Sequence, residues 1–264
     1  MPAQPTAADG VIVTGAAGLI GRAIVAALVA DGFRVAAVDR ADPAPHFADD
    51  IDKGRVVPIT ADLADAGARA DLAAAARQAL GRVRALVNNA ADLSEQPLLE
   101  STDEQWRATL EINLVAPASL VRLLADDLAD GGVVVNISSV RGLRCLPGAA
   151  AYEASKSGLL ALTRTIAGEL GHRGTRAVTV CPGAIVEDPD TWLDGTPQSF
   201  ADAWTAAHPM GRAGGAAAVA SVVAFLCSDA ARHVNGVELV VDGGVMAQYP
   251  AAAALRLAGQ LHLP

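Results

Sequence analysis

Short runs of β-branched residues alternate along this chain with longer Ala- and Leu-rich stretches whose apolar positions recur at helical spacing. The pattern predicts strands over residues 11–13, 33–38, 55–59, 83–87, 133–137, 177–180 and 237–241. Helices are predicted over 19–30, 64–80, 102–128, 149–170 and 216–227. Asp31-Gly32 and Gly131-Gly132 punctuate it, glycine marking the turns. The strand runs are dominated by Val and Ile, which suggests buried parallel strands. Strand and helix in strict alternation imply an α/β fold, and right-handed crossovers then favour a doubly wound parallel sheet of about seven strands. No internal repeat or linker divides residues 1–264, so a single domain is expected. Residues 187–212 show no clear period and are expected to be an irregular lid. Residues 245–264 form a short tail, whose Ala/Leu stretch from 251 suits a helix.

Composition narrows the functional classes. Apolar residues make up 52% and charged residues 19%, enough for a substantial core. The net charge of −9 argues against a nucleic-acid surface, and no basic cluster offers a membrane a docking site. No apolar stretch reaches the about 18 residues a spanning helix needs, and residues 1–10 lack a secretory pattern. Cys145, Cys181 and Cys227 are isolated and odd in number, which reads as reduced, buried thiols of a cytoplasmic protein. The five histidines are scattered, with no ligand spacing, so no protein-held metal is expected.

Candidate chemistry concentrates in two places. Tyr152 and Lys156 lie four apart in a predicted helix, hence on one face. An ammonium beside a phenol favours the phenolate and lowers its pKa toward working pH, which makes the pair a candidate general acid/base. The second place is Thr14-Gly15-Ala16-Ala17-Gly18-Leu19-Ile20-Gly21, between the first strand and first helix. Glycines there allow a tight turn and the close approach of a pyrophosphate to a helix N-terminus. Asp39 ends the second strand, 18 residues after Gly21. A carboxylate there suits ribose hydroxyls and repels a 2′-phosphate, which favours NAD over NADP, although Arg40 next to it suits a 2′-phosphate. Asp62 and Leu63 end the third strand, where a carboxylate meets an adenine amino group.

Together these residues resemble the short-chain dehydrogenase/reductase family, from about Gly10 to Gly244. The likeness includes Asn88-Asn89-Ala90-Ala91, similar to the family's NNAG, and Asn113, similar to its active-site asparagine. Ser138-Ser139 ends the fifth strand, Pro182-Gly183 follows the sixth, and Asn235-Gly236 and Asp242-Gly243-Gly244 resemble the ending of compact members. All five asparagines of the chain fall within such motifs. Two departures stand out. The glycine spacing is that of the extended members, though the chain has no room for their larger substrate domain. Glu187 occupies the position where the family often has a threonine against the nicotinamide amide.

The resemblance implies hydride transfer between a nicotinamide and a carbinol or carbonyl carbon, interconverting a secondary alcohol and a ketone. Tyr152 would exchange the hydroxyl proton, Lys156 would lower its pKa and hold the nicotinamide ribose, and Ser139, 13 residues before Tyr152, would hold the substrate oxygen. Asn113 would bind a water linking Lys156 to solvent, and Ser138 would be structural. Gly15, Gly18, Leu19, Ile20, Gly21, Asp39, Arg40, Asp62, Leu63, Asn89, Ala90, Ala91, Pro182, Gly183 and Ile185 would line the cofactor, with Tyr152 and Lys156. For a small or medium hydrophobic substrate, Arg141 and Arg144 could read a carboxylate or stay solvated. Trp192, Phe200 and Trp204 could cap an apolar pocket or pack the lid onto the body. The alternatives are an NADPH-dependent biosynthetic ketoreductase, a non-redox epimerase or lyase that retains NAD, and a cofactor-sensing protein without catalysis. A homo-oligomer, tetramer or dimer, is expected through the helices around 102–128 and 149–170.

Overall fold

The computed structural model describes residues 9–191, 193–248 and 251–258. Seven parallel strands form one sheet: β1 (Asp9–Thr14), β2 (Arg34–Asp39), β3 (Val56–Thr60), β4 (Arg82–Asn88), β5 (Val133–Ile137), β6 (Arg176–Pro182) and β7 (Glu238–Val241). Their spatial order is β3-β2-β1-β4-β5-β6-β7. Pro58, which cannot donate to a ladder, sits in β3 at the sheet edge. Helices α1 (Leu19–Ala30), α2 (Ala66–Leu80), α3 (Asp103–Leu110), α4 (Ala116–Leu124), α5 (Ala150–Leu170), α6 (Gln198–Ala207), α7 (Ala216–Cys227) and α8 (Ala252–Leu257) cover the sheet or follow it in the chain.

The period of two along each strand sorts the core. Val11, Val13, Val35, Ala37, Val133 and Val135 face α1 and α7. Ile12, Ala36, Val38, Leu86 and Val134 face α2, α4 and the second half of α5. Both faces are buried, which explains why Val, Ile and Ala dominate the strands. Strand order reverses between β1 and β4, which opens a crevice at the carboxyl ends of the strands.

Three expectations need correction. The predicted helix 102–128 is not continuous. Thr102 and Gln105 cap α3 reciprocally, but Glu111–Val115 is a π-helical turn before α4 begins. Such a turn inserts a residue without breaking the axis, so apolar spacing hides it. Residues 187–212 are not wholly irregular either. They contain α6, and Ile185–Val186 pairs with Gly214–Gly215 at the base of this segment. The tail supplies α8, which packs on α6, and Gln248 donates to the Ala207 carbonyl at 2.8 Å. Finally, Cys181 and Cys227 are buried free thiols as expected, but Cys145 is exposed, because it lies on a loop beyond the sheet.

Candidate active site

Local geometry explains the glycine loop. Gly15 has φ +65°, and a Cβ there would sit 2.8 Å from the Ala90 Cα. At Gly21 it would sit 2.0 Å from the Gly15 carbonyl oxygen. These two glycines let β1, α1 and the turn after β4 close on one another. Gly18 differs: its nearest neighbour would be the Gly15 oxygen at 3.4 Å, so the protein itself does not require a missing Cβ. It is the N-cap of α1 and offers no side-chain cap, which leaves the first helical N–H groups for an anion. The spare room at Gly18 fits a phosphate cradle. Gly18→Ala is expected to keep the wild-type melting temperature but lose cofactor affinity, whereas Gly21→Ala should lower both; thermal melts with and without NADH check this.

Leu19 and Ile20 open α1, half-buried, with Ile20 packed against the core, so they present backbone N–H groups. The Asp39 carboxylate accepts from Ala17 N at 3.0 Å and from Ala41 N at 3.2 Å. It is thereby held against the loop, while Arg40 is exposed beside it. Asp62 is exposed and accepts from Ala64 N, and Leu63 is buried. Thr14 Oγ1 accepts from the backbone N–H groups of Asn89 and Ala90, and Asn89 Nδ2 donates to the Thr14 and Gly15 carbonyls. The turn Asn89-Ala90-Ala91 is thus tied to the loop across the strand-order reversal. Gly183 follows β6 so closely that a Cβ would meet Asp242 at 2.7 Å. Glu187 pairs with Arg22 of α1 at 3.6 Å, which links the start of the 187–212 segment to the glycine-loop helix.

Tyr152 and Lys156 project from α5 beneath the end of β5. Lys156 is buried, and its Nζ donates to the Ile137 carbonyl at 2.9 Å, 5.6 Å from the Tyr152 ring centroid. Burial pulls the ammonium down to about 8. Burial also raises the phenol above its ordinary value, against a hydrogen bond with Ser139 and the charge of Arg141. This corrects the simple expectation of a lysine-lowered phenol: desolvation outweighs the neighbouring charges.

Ser139 Oγ accepts from Arg141 N at 3.1 Å, and Ser138 Oγ donates to the Lys156 carbonyl at 2.9 Å. Ser139 therefore faces the phenol and Ser138 anchors β5 to α5. Asn113 is buried in the π-helical turn. Its amide donates to the Asp92 carbonyl at 2.9 Å and to Ser155 Oγ at 3.0 Å and accepts from Asp92 N at 2.7 Å. Both amide hydrogens are thus committed to protein groups. Ser155 in turn donates to the Tyr152 carbonyl at 2.6 Å, so Asn113 positions the helix turn that carries the phenol.

The expected substrate residues are differently placed. Arg141 donates to Glu153 at 3.0 Å, to Glu95 at 2.6 Å and to the Leu146 carbonyl at 3.0 Å, so its fork is not free for a substrate carboxylate. Trp204 stacks on His208 at 4.1 Å and on Phe200 at 6.3 Å within the 187–212 segment. Trp192 lies outside the described residues. A pocket of about 820 Å³ runs between Ile185, Pro189, Met210, Ala217 and Val241. Ser139, Tyr152 and Lys156 do not line it, so volume alone would misplace the chemistry. Sequence reasoning passed over Glu95, Glu153 and Asp92; Glu153 adjoins Tyr152 and was the one with a visible signal.

Among the described residues no group of His, Cys, Asp or Glu could hold a metal, and no helix is long and apolar enough to cross a membrane. A family model described as Enoyl-(Acyl carrier protein) reductase matches residues 15–246. The chain is 35% identical over 238 residues to D-threitol dehydrogenase of Mycolicibacterium smegmatis, covering 88% of this chain and 91% of that one. Its fold is similar to a blue fluorescent protein from a metagenomic library in complex with NADPH, with a TM-score of 0.81, 35% identity, and 90% and 97% of the two chains covered. It is also similar to a short-chain dehydrogenase/reductase, glucose/ribitol dehydrogenase, from Brucella melitensis, with a TM-score of 0.82, 29% identity, and 93% and 99% covered. With the glycine loop, the Asn89 turn and the Ser139–Tyr152–Lys156 cluster on one crevice, the chain is an oxidoreductase of the short-chain dehydrogenase/reductase family.

Proposed function

We propose that this chain is an NAD(H)-dependent dehydrogenase that interconverts a secondary alcohol and a ketone on a small or medium, uncharged substrate. The observation that carries the cofactor preference is Asp39, whose carboxylate is held by two backbone N–H groups at the mouth of the glycine loop. A fixed carboxylate there accepts from a ribose diol and repels a 2′-phosphate. The cofactor would be cradled by Gly15, Gly18, Gly21, Asn89, Ala90, Pro182, Gly183 and Ile185, and it would supply the hydride chemistry.

The protein's part is proton handling. Ser139 orients the substrate oxygen toward Tyr152. For an alcohol, the coupled Tyr152–Lys156 pair must first lose one proton, and it does so near the value of about 8 to which burial brings Lys156. The remaining proton is shared, and the phenolate form of the pair takes the substrate proton. Arg141 is already paired with two glutamates, which supports an uncharged substrate. A homo-oligomer through α3 to α5 fits this reading.

Arg40 and the NADPH complex of the blue fluorescent protein favour a second reading, an NADPH-dependent ketoreductase. Calorimetric titration separates the two. Tighter NADH binding is expected for the wild type, and Asp39→Ser should reverse the preference by about tenfold, since removing one like-charge repulsion near a surface is worth roughly 1–2 kcal/mol. Tighter NADPH binding by the wild type would overturn the NAD assignment.

A further inference from the structure

We propose that Arg141 is a positioning residue for Tyr152: a fixed cation over the phenol, set against the Glu95 carboxylate, so that the segments 92–101 and 140–147 together set the charge that the phenol faces. This rests on Tyr152 as the acid/base of the reaction. Arg141 lies two residues after Ser139, and its Cζ is 5.6 Å from the Tyr152 ring centroid. Its side chain is 19% exposed, against 66% for Glu95. Glu153 Oε1 takes both Arg141 Nε and Leu146 N, the latter at 2.6 Å, and so clamps the loop to α5. The guanidinium is planar and permanently charged, so the clamp keeps a cation at a constant place.

A loop staple needs no contact with the catalytic ring, and this one has it. The charged and titratable groups that face Tyr152 come from three elements. Glu153 and Lys156 come from α5, Arg141 and Ser139 from the turn after β5, and Glu95 from the segment after β4. Arg141 favours the phenolate, whereas Glu95 and Glu153 oppose it. Glu95 is the one on an exposed loop, so movement of that loop alters the field at the phenol while Glu153 keeps Arg141 in place.

The sequence has two tyrosines, so Tyr249→Phe leaves Tyr152 as the sole phenol, whose ionisation is read directly from phenolate absorbance after rapid pH jumps. In that background Arg141→Met should move the Tyr152 midpoint up by about one pH unit, and Glu95→Gln should move it down by somewhat less. Arg141→Lys should restore most of the wild-type midpoint. Both substitutions break the same ion pair, so a purely structural staple would shift the midpoint in one common direction or not at all. Either result overturns the proposal. If Arg141→Met folds poorly, the sign of the Glu95→Gln shift alone decides. The readout needs neither substrate nor turnover, so it fails or succeeds independently of the dehydrogenase reading.

Discussion

Replacing Tyr152 with phenylalanine is expected to reduce turnover by ~10²–10⁴-fold, the range of a lost general acid/base, while NADH affinity stays close to wild type. The ring keeps its packing under Arg141, and Lys156 keeps its bond to the Ile137 carbonyl, so the cofactor crevice loses one hydroxyl and nothing else. Rapid-mixing kinetics alongside calorimetry check both halves. A variant that loses cofactor binding in parallel with turnover would place Tyr152 in the binding cradle and leave the proton transfer without an owner.

Lys156→Met carries the second large effect and separates catalysis from stability. Turnover should fall at least as far as in Tyr152→Phe, because the phenolate loses its neighbouring cation and the coupled pair no longer has a proton to lose near pH 8. The effect on stability has a definite sign. Burial holds the lysine at about 8 in the folded chain against an ordinary value of 10.5. Between those values the unfolded chain binds more protons than the folded one, so the lysine's contribution to stability rises with pH from about 8 toward 10.5. Below pH 8 the buried ammonium is a standing cost. The full swing is on the order of 3 kcal/mol, at about 1.4 kcal/mol per pH unit. Lys156→Met lacks the titrating group, so urea unfolding at pH 7.5, below that window, and at pH 9.5, inside it, should show wild type gaining on the variant as pH rises. A constant difference between the two would mean that Lys156 is not buried as a titrating ammonium.

The parallel sheet was legible because its strands are dominated by β-branched apolar residues and most crossovers carry long helices with capping or glycine punctuation, whereas the crossover from β2 to β3 carries only the short helix Ala48–Asp52, which has no apolar period to betray it. The candidate set Ser139, Tyr152, Lys156 and Asn113 stood out in the sequence for a different reason. The five asparagines all fall within motifs of the resemblance, and one of only two lysines and one of only two tyrosines make the YxxxK pair. Other features left no one-dimensional trace. The π-helical turn at Glu111–Val115 keeps the helical apolar pattern while redirecting Asn113. Helix α6 has no buried residue among its ten, so it lacks the apolar stripe that marks a core helix, and it is held instead by α8 from a distant part of the chain. Arg141 looked available for a substrate because its partners, Glu95 and Glu153, lie 46 and 12 residues away, and only the fold brings them together. The phenol's raised pKa likewise depends on burial, which the YxxxK spacing does not report.

The most direct test of the central assignment is to incubate the purified chain with NAD and a panel of small secondary alcohols and polyols, following NADH absorbance for the wild type and for Tyr152→Phe. Stoichiometric NADH with ketone formed in step, lost in Tyr152→Phe and weak when NADP replaces NAD, is the predicted result. Substrate conversion without net NADH, or unchanged turnover in Tyr152→Phe, would contradict it.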